Sequence, residues 1–165
     1  MLMRQQAAGF EDLRGADVSA TVPISERLLN ELVQESLPRA LPVRDLSVAP
    51  QAGDRFVVRG RLGSSSLLPR LKLTVLIDRQ PDLPSSAALV LKLEMGALMA
   101  LAGPALRFLD ALPPGIHVDG DRIHVDIAKL LERRGLSQYL GFIQRLEVHT
   151  TDGAVVAMIR GGVPR

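Results

Sequence analysis

The chain of 165 residues has no cysteine and no tryptophan, and it has only one tyrosine and four phenylalanines. The absence of cysteine excludes disulfide frameworks, thiolate nucleophiles and zinc sites built on cysteine. So few aromatic rings offer no platform on which the bases of single-stranded nucleic acid could stack. We therefore expect no nucleic-acid partner.

Long apolar segments and long basic runs are also missing. The most apolar stretch, residues 95–106, is shorter than the ~20 residues that a membrane-spanning helix needs. Arginine and lysine number 20 against 18 acidic residues, for a net charge of +2, and they are spread along the chain. The first ten residues lack the apolar core of a secretion signal. We predict a cytoplasmic protein; an envelope-associated one stays open if a leader has been removed, and so does contact with a membrane surface.

What is present suffices for one folded domain. Hydrophobic residues make up 47% of the chain, and a domain of this size buries roughly 70% of its unfolded surface. The first residues carry little pattern. We therefore predict a flexible N-terminal segment over residues 1–15, a single α+β domain over 16–160 and a C-terminal tail over 161–165.

Apolar residues recur with a helical period in one early segment and then mainly with the period of strands. Ser25 is a good N-cap for a helix that ends before Pro38. The polar residues of this helix, among them Asn30 and Gln34, are expected to face away from the core. Strand-period patterns occupy residues 16–22, 43–49, 55–62, 71–77, 89–95, 116–118, 123–125, 142–150 and 154–160.

A second main helix is expected over residues 96–112, which are apolar on almost every side and contain a kinking proline. A short helix follows over 127–134, with Gly135 as its C′ residue. Because helices do not separate the strands one by one, a parallel doubly wound sheet is excluded. The predicted fold class is α+β: an antiparallel β-sheet meander, with one wet face, packed on two main α-helices.

Motifs for catalysis are absent, since the chain has no G-x-S-x-G, Walker A, G-x-G-x-x-G or H-E-x-x-H pattern. In the predicted hairpin Val118 pairs with Ile123, which places His117 opposite His124 on the polar face. Two imidazoles near Asp126 could bind a metal, although a solvated strand face explains the same residues. We predict a protein that is not an enzyme and uses no cofactor or metal.

Aliphatic strand faces are the most distinctive feature of the chain. The strands at 71–77 and 89–95 each present four aliphatic residues on one side, and aliphatic walls accept flexible acyl chains. This favours non-enzymatic binding of a lipid or other apolar small molecule in a groove between the sheet and the helices. The alternative is a structural or interaction scaffold, a homodimer or a partner-binding protein, with a closed aliphatic core and no ligand.

Several segments resemble small bacterial tubular lipid-binding (TULIP) domains: VPISERLLNELVQESLP, GDRFVVRGRL, LPRLKLTVLID, LPPGIHVDGDRIHVDIAKLL and the hairpin RLEVHTTDGAVVAMI. The resemblance covers residues 16–160 and implies a curved antiparallel sheet wrapped around a long helix, with lipid held between them. The helix from Glu26 to Leu37 would then lie along the groove. The candidate lining residues are Leu29, Leu32, Val33, Leu73, Val75, Leu91, Leu93 and Leu101.

Overall fold

The structure, a computed structural model, describes residues 15–37, 43–62, 70–94 and 112–162. Its strands are β1 (Asp17–Ser25), β2 (Val43–Gln51), β3 (Arg55–Leu62), β4 (Arg70–Arg79), β5 (Ala88–Leu93), β6 (Ile116–Asp119), β7 (Arg122–Asp126), β8 (Ile143–Thr151) and β9 (Ala154–Gly162). Its helices are α1 (Glu26–Ser36), α2 (Ile127–Arg133) and a 3-10 helix at Ser137–Phe142. Along the described residues, this order of strands and helices confirms the predicted one.

The strands form two antiparallel sheets rather than one meander. Because most of the described residues lie in strands, the protein is mainly β with some helix. The large sheet has the order β2-β3-β4-β5-β7-β6, and the small sheet has the order β1-β9-β8. The whole of β1 pairs with β9, from Asp17 opposite Gly162 to Ser25 opposite Ala154. Because this pairing joins the two ends of the domain, no local pattern along the chain indicates it.

Local sequence signals set both described helices. Ser25 caps α1, since its side chain accepts a hydrogen bond from the Leu28 N–H at 3.3 Å and satisfies a donor that the first turn leaves free. Asp126 caps α2 in the same way through the N–H of Lys129. Gly135 follows α2 with a φ of 69°, a backbone conformation that glycine adopts without strain. The predicted C′ glycine is therefore confirmed.

The core lies where the apolar faces of the two sheets meet. Its buried residues are Phe56, Leu73, Val75, Leu89 and Leu93 from the large sheet, and Leu146, Val148 and Val155 from the small sheet. Ile24 of β1 and Leu29 of α1 pack against this cluster while remaining partly exposed. No side chain in the described ranges is fully buried. The buried core side chains are 2–8% exposed, and they are surrounded by apolar side chains that are only half-buried.

The face of the large sheet that points away from the core is only partly exposed to solvent. Val57 and Val90 lie outside the core cluster, because the side chains of Phe56 and Leu89 that precede them point into it. Both valines are nevertheless buried, at 4% and 3% exposure. The prediction of a polar face is therefore wrong at Val57 and Val90.

Some predicted segments lie outside the described residues, namely 1–14 and nearly all of the second main helix, 96–112. The predicted tail begins too early, because Gly161 and Gly162 belong to β9 and pair with Val18 and Asp17. A side chain at position 161 would collide with the backbone carbonyl of Phe142. This close approach of two backbones explains a glycine at the end of a strand.

Candidate functional site

The predicted lining residues of the large sheet share one face. Val75 of β4 lies directly opposite Leu93 of β5, and both are 2% exposed. Leu73 is also buried, whereas Leu91 is half-buried and packs against the same cluster. The structure thus brings these four residues together as one aliphatic wall, which is mostly closed at its centre.

The predicted lining residues of α1 are less covered. Leu29, Leu32 and Val33 are all half-buried, and no residue of α1 is buried. Leu28 is 43% exposed. The apolar side of the helix is therefore in contact with both the core and water. Leu101, the remaining predicted lining residue, lies outside the described residues.

The apolar face of the small sheet reaches solvent along β1. Val22 lies opposite Ala157, which in turn lies opposite the core residue Val148. Because side chains alternate along a strand, Val18 and Val22 share this core-facing side. They are 61% and 42% exposed. A continuous apolar surface therefore runs from the buried core to the open edge of the small sheet.

Two side-chain amides hold α1 against β2, an edge strand of the large sheet. Asn30 donates from Nδ2 to the Val48 carbonyl at 2.9 Å and accepts from the Val48 N–H at 2.7 Å. Gln34 donates to the Leu46 carbonyl at 2.8 Å. These bonds occupy backbone groups that another strand would otherwise pair. The prediction that both amides face away from the fold is wrong. Asn30 and Gln34 are four residues apart and so lie on one face of the helix, and this spacing could have indicated a shared partner.

Thr150 and Asp54 form a junction between the two sheets. Thr150 is 5% exposed; its hydroxyl donates to the Gln51 carbonyl and accepts from the Arg55 N–H at 2.8 Å. Asp54, at a φ of 56°, accepts from the Thr150 N–H at 3.0 Å. Its carboxylate also lies 3.2 Å from His149 Nδ1. These contacts fix the small sheet at the end of the large one that carries the β2–β3 turn.

Gln80 reinforces the junction from the connection that follows β4. Its Nε2 donates to the Val148 carbonyl at 2.7 Å, and its Oε1 accepts from the Val148 N–H at 2.8 Å. Since β8 is an edge strand, the amide takes the place of a neighbouring strand, as Asn30 does for β2. Sequence reasoning gave no role to Gln80 or Thr150, because a polar residue near a turn carries no sign of its distant partner.

The histidine pair has the predicted register. His117 lies opposite His124, and their rings stack with centroids 4.6 Å apart and planes 8° from parallel. Among the residues that the structure describes, no three His, Cys, Asp or Glu side chains come together in a way that could hold a metal ion. The pair is therefore a contact between two rings on the strand surface, without a third ligand from the described chain.

No protein-family model, curated protein or solved structure matches the chain. The resemblance to tubular lipid-binding domains therefore stays a prediction. In the ranges described, no helix has the length and apolar character needed to cross a bilayer.

Proposed function

We propose that the protein binds a lipid or another apolar ligand, without catalysing a reaction, between the core-facing sides of the two sheets and α1. The observation that carries this proposal is the exposure of Val18 and Val22 on the side of β1 that continues into the core. Aliphatic surface in contact with water is unfavourable by about 25 cal/mol per Å². An acyl chain lying on this surface would cover it and gain that free energy.

The chemistry of the surface suits a flexible chain. Its partly exposed aliphatic residues are Leu29, Leu32 and Val33 on α1 and Leu91 on β5, and they adjoin the buried Leu73, Val75 and Leu93. Such side chains provide shape and apolarity but no directed hydrogen bonds, so they favour an acyl chain over a polar small molecule. A sheet curled around this helix, as in TULIP domains, belongs to the same proposal.

Ligand recovery and probe titration test the proposal. Mass spectrometry of an organic-solvent extract of the purified protein should identify an acyl-chain compound. The delipidated protein should bind a dansylated fatty acid saturably. Val22→Asn places an amide on the apolar surface, and we expect it to weaken probe binding by about tenfold, equivalent to ~1.4 kcal/mol.

The matched control for this variant is Thr21→Asn, on the exposed opposite side of the same strand. It should bind the probe as the parent does. Unsaturable probe binding by the parent, or equal affinities for Val22→Asn and the parent, would contradict the proposal.

A second candidate function, the scaffold, is favoured by the edge of the small sheet. The outer backbone groups of β1 make no hydrogen bond to another described residue outside its pairing with β9. Exposed edge strands are sites where a second chain can add. Size-exclusion chromatography with light scattering separates the candidates: a stable dimer without extractable ligand supports the scaffold, and a monomer that carries lipid supports the groove.

A further inference from the structure

Positive charges face one another across strands β2, β3 and β4, at the end of the large sheet opposite the junction. Arg44 lies opposite Arg61, Arg61 lies opposite Arg70, and Arg59 lies opposite Lys72. We call these five residues the cationic patch. Neighbouring strands are about 4.8 Å apart and alternate residues about 6.8 Å apart, so the five side chains occupy two adjacent rows. All five lie on the face that points away from the core.

The patch has little compensating negative charge. Asp45 contacts Arg61, with 3.6 Å between Oδ2 and Nε, and the Asp45 side chain is itself 73% exposed. Within the described ranges, the other four cations make no ion pair. With Asp45 included the patch carries a net charge of +4, whereas the whole chain carries +2. Glu94, which is exposed and donates its N–H to the Thr74 carbonyl, borders the patch, so positive charge predominates here without being wholly uncompensated.

Like charges directly opposite each other destabilise a sheet. Three such pairs in adjacent positions give the folded protein a repulsion that, among the described ion pairs, only Asp45–Arg61 relieves in part. Because a bound anion would relieve the remaining repulsion, a negatively charged partner would suit this surface.

A shallow, open recess lies at the same end of the sheet. A pocket of about 400 Å³ lies here, within the range that small-molecule sites occupy. Its charged lining residues are Asp45, Arg59, Arg61, Arg70 and Lys72. Gly60 and Leu71 complete the lining, and most of the exposed lining is apolar, so the recess is not by itself a phosphate site.

From this charge complementarity we propose that the cationic patch docks the protein on a bilayer surface rich in anionic phospholipids. The five cations lie on one face of three adjacent strands, so they can meet the phosphates of one lipid surface together. Single-stranded nucleic acid is the less favoured partner, because the patch has no aromatic side chain on which a base could stack, and a duplex is an outcome of the test below. The docking surface is on the opposite face of the sheet from the proposed groove, so it stands independently of the apolar ligand.

Vesicle co-sedimentation tests the assignment. The full chain should bind vesicles of phosphatidylglycerol mixed with phosphatidylcholine, should not bind vesicles of phosphatidylcholine alone, and should lose binding as salt is added. The double variant Arg59→Gln with Lys72→Gln should lower the partition coefficient by about 25-fold, since each basic residue near an anionic surface contributes about fivefold.

The matched control is Arg27→Gln with Arg133→Gln, which removes the same charge from α1 and α2. Its partition coefficient should stay within about twofold of the parent, because distant exposed charges are screened. Circular dichroism should show both double variants folded, and the patch variant should bind the dansylated fatty acid as the parent does. Vesicle binding therefore reports on the docking proposal, and fatty-acid binding reports separately on the groove proposal.

Three outcomes would overturn the proposal. One is equal binding to vesicles with and without phosphatidylglycerol. Another is equal loss of vesicle binding in the patch and control variants. The third is tighter binding of a fluorescein-labelled DNA duplex than of anionic vesicles at the same salt concentration, abolished in the patch variant, which would assign the surface to nucleic acid.

Discussion

The two ends of strands β2 to β4 differ in whether their polar side chains have hydrogen-bond or ion-pair partners. At the junction, Asp54, Thr150 and Gln80 make hydrogen bonds across the two sheets. At the cationic patch, Arg59 faces Lys72 across the strands, and their charges are left without a described partner. The junction thus holds the two sheets together, whereas like charges repel each other at the cationic patch.

This contrast separates polar groups that stabilise the fold from polar groups that remain available to a partner. Removing one side of a partly buried hydrogen bond leaves a donor or acceptor unsatisfied, which destabilises by about 1–3 kcal/mol. Removing one cation from a pair of like charges instead relieves repulsion. We therefore expect substitutions at the two ends to change stability with opposite signs.

The largest effect should come from Thr150→Val in the junction. The change keeps the shape of the side chain but removes the hydroxyl that bonds the Gln51 carbonyl and the Arg55 N–H. We expect the free energy of unfolding to fall by about 2–3 kcal/mol, measured by urea denaturation. Thr151→Val, the same change at the exposed neighbour, should stay within about 0.5 kcal/mol of the parent. Equal effects at both positions would show that the junction does not hold the sheets together.

A smaller loss is expected when α1 is freed from the sheet edge by Asn30→Ala. The variant loses both hydrogen bonds to Val48 but gains about 0.5 kcal/mol of helix propensity. The net destabilisation should be about 1 kcal/mol in urea denaturation. Hydrogen exchange should show faster opening of α1 than of the junction. Gln34→Ala removes a single exposed bond and should cost clearly less; the reverse order would refute the proposed anchoring.

The smallest effect on stability, and the one of opposite sign, is expected from Lys72→Glu in the cationic patch. Reversing this charge turns the repulsion with Arg59 into an attraction, so the free energy of unfolding should rise by about 0.2–1 kcal/mol at low salt. The gain should disappear at high salt, which serves as the control. Binding to anionic vesicles should fall about 25-fold, because the charge changes by two. A lower free energy of unfolding in Lys72→Glu would contradict the repulsion, and unchanged binding to anionic vesicles would contradict the docking role of the cationic patch.

Most of the described elements follow from the sequence because they depend on near neighbours in the chain. The Ser25 cap acts within one helical turn, and the pairing of His117 with His124 is set by a short hairpin; the Asp126 cap is equally local, but the sequence analysis did not predict it. The aliphatic walls could also be predicted, because alternation along β4 and β5 assigns Leu73 and Leu91 to one face.

The sequence alone determined the order of the described elements, the Ser25 cap and the apolar faces of β3 to β7, since a few adjacent residues decide each of these. Only the tertiary structure decided that β1 pairs with β9, that Asn30 and Gln80 occupy strand edges, and that Thr150 joins the sheets. It also decided that cations scattered through the chain face one another across three strands. Each of these contacts brings together residues far apart in sequence, and composition and periodicity carry no record of such partners.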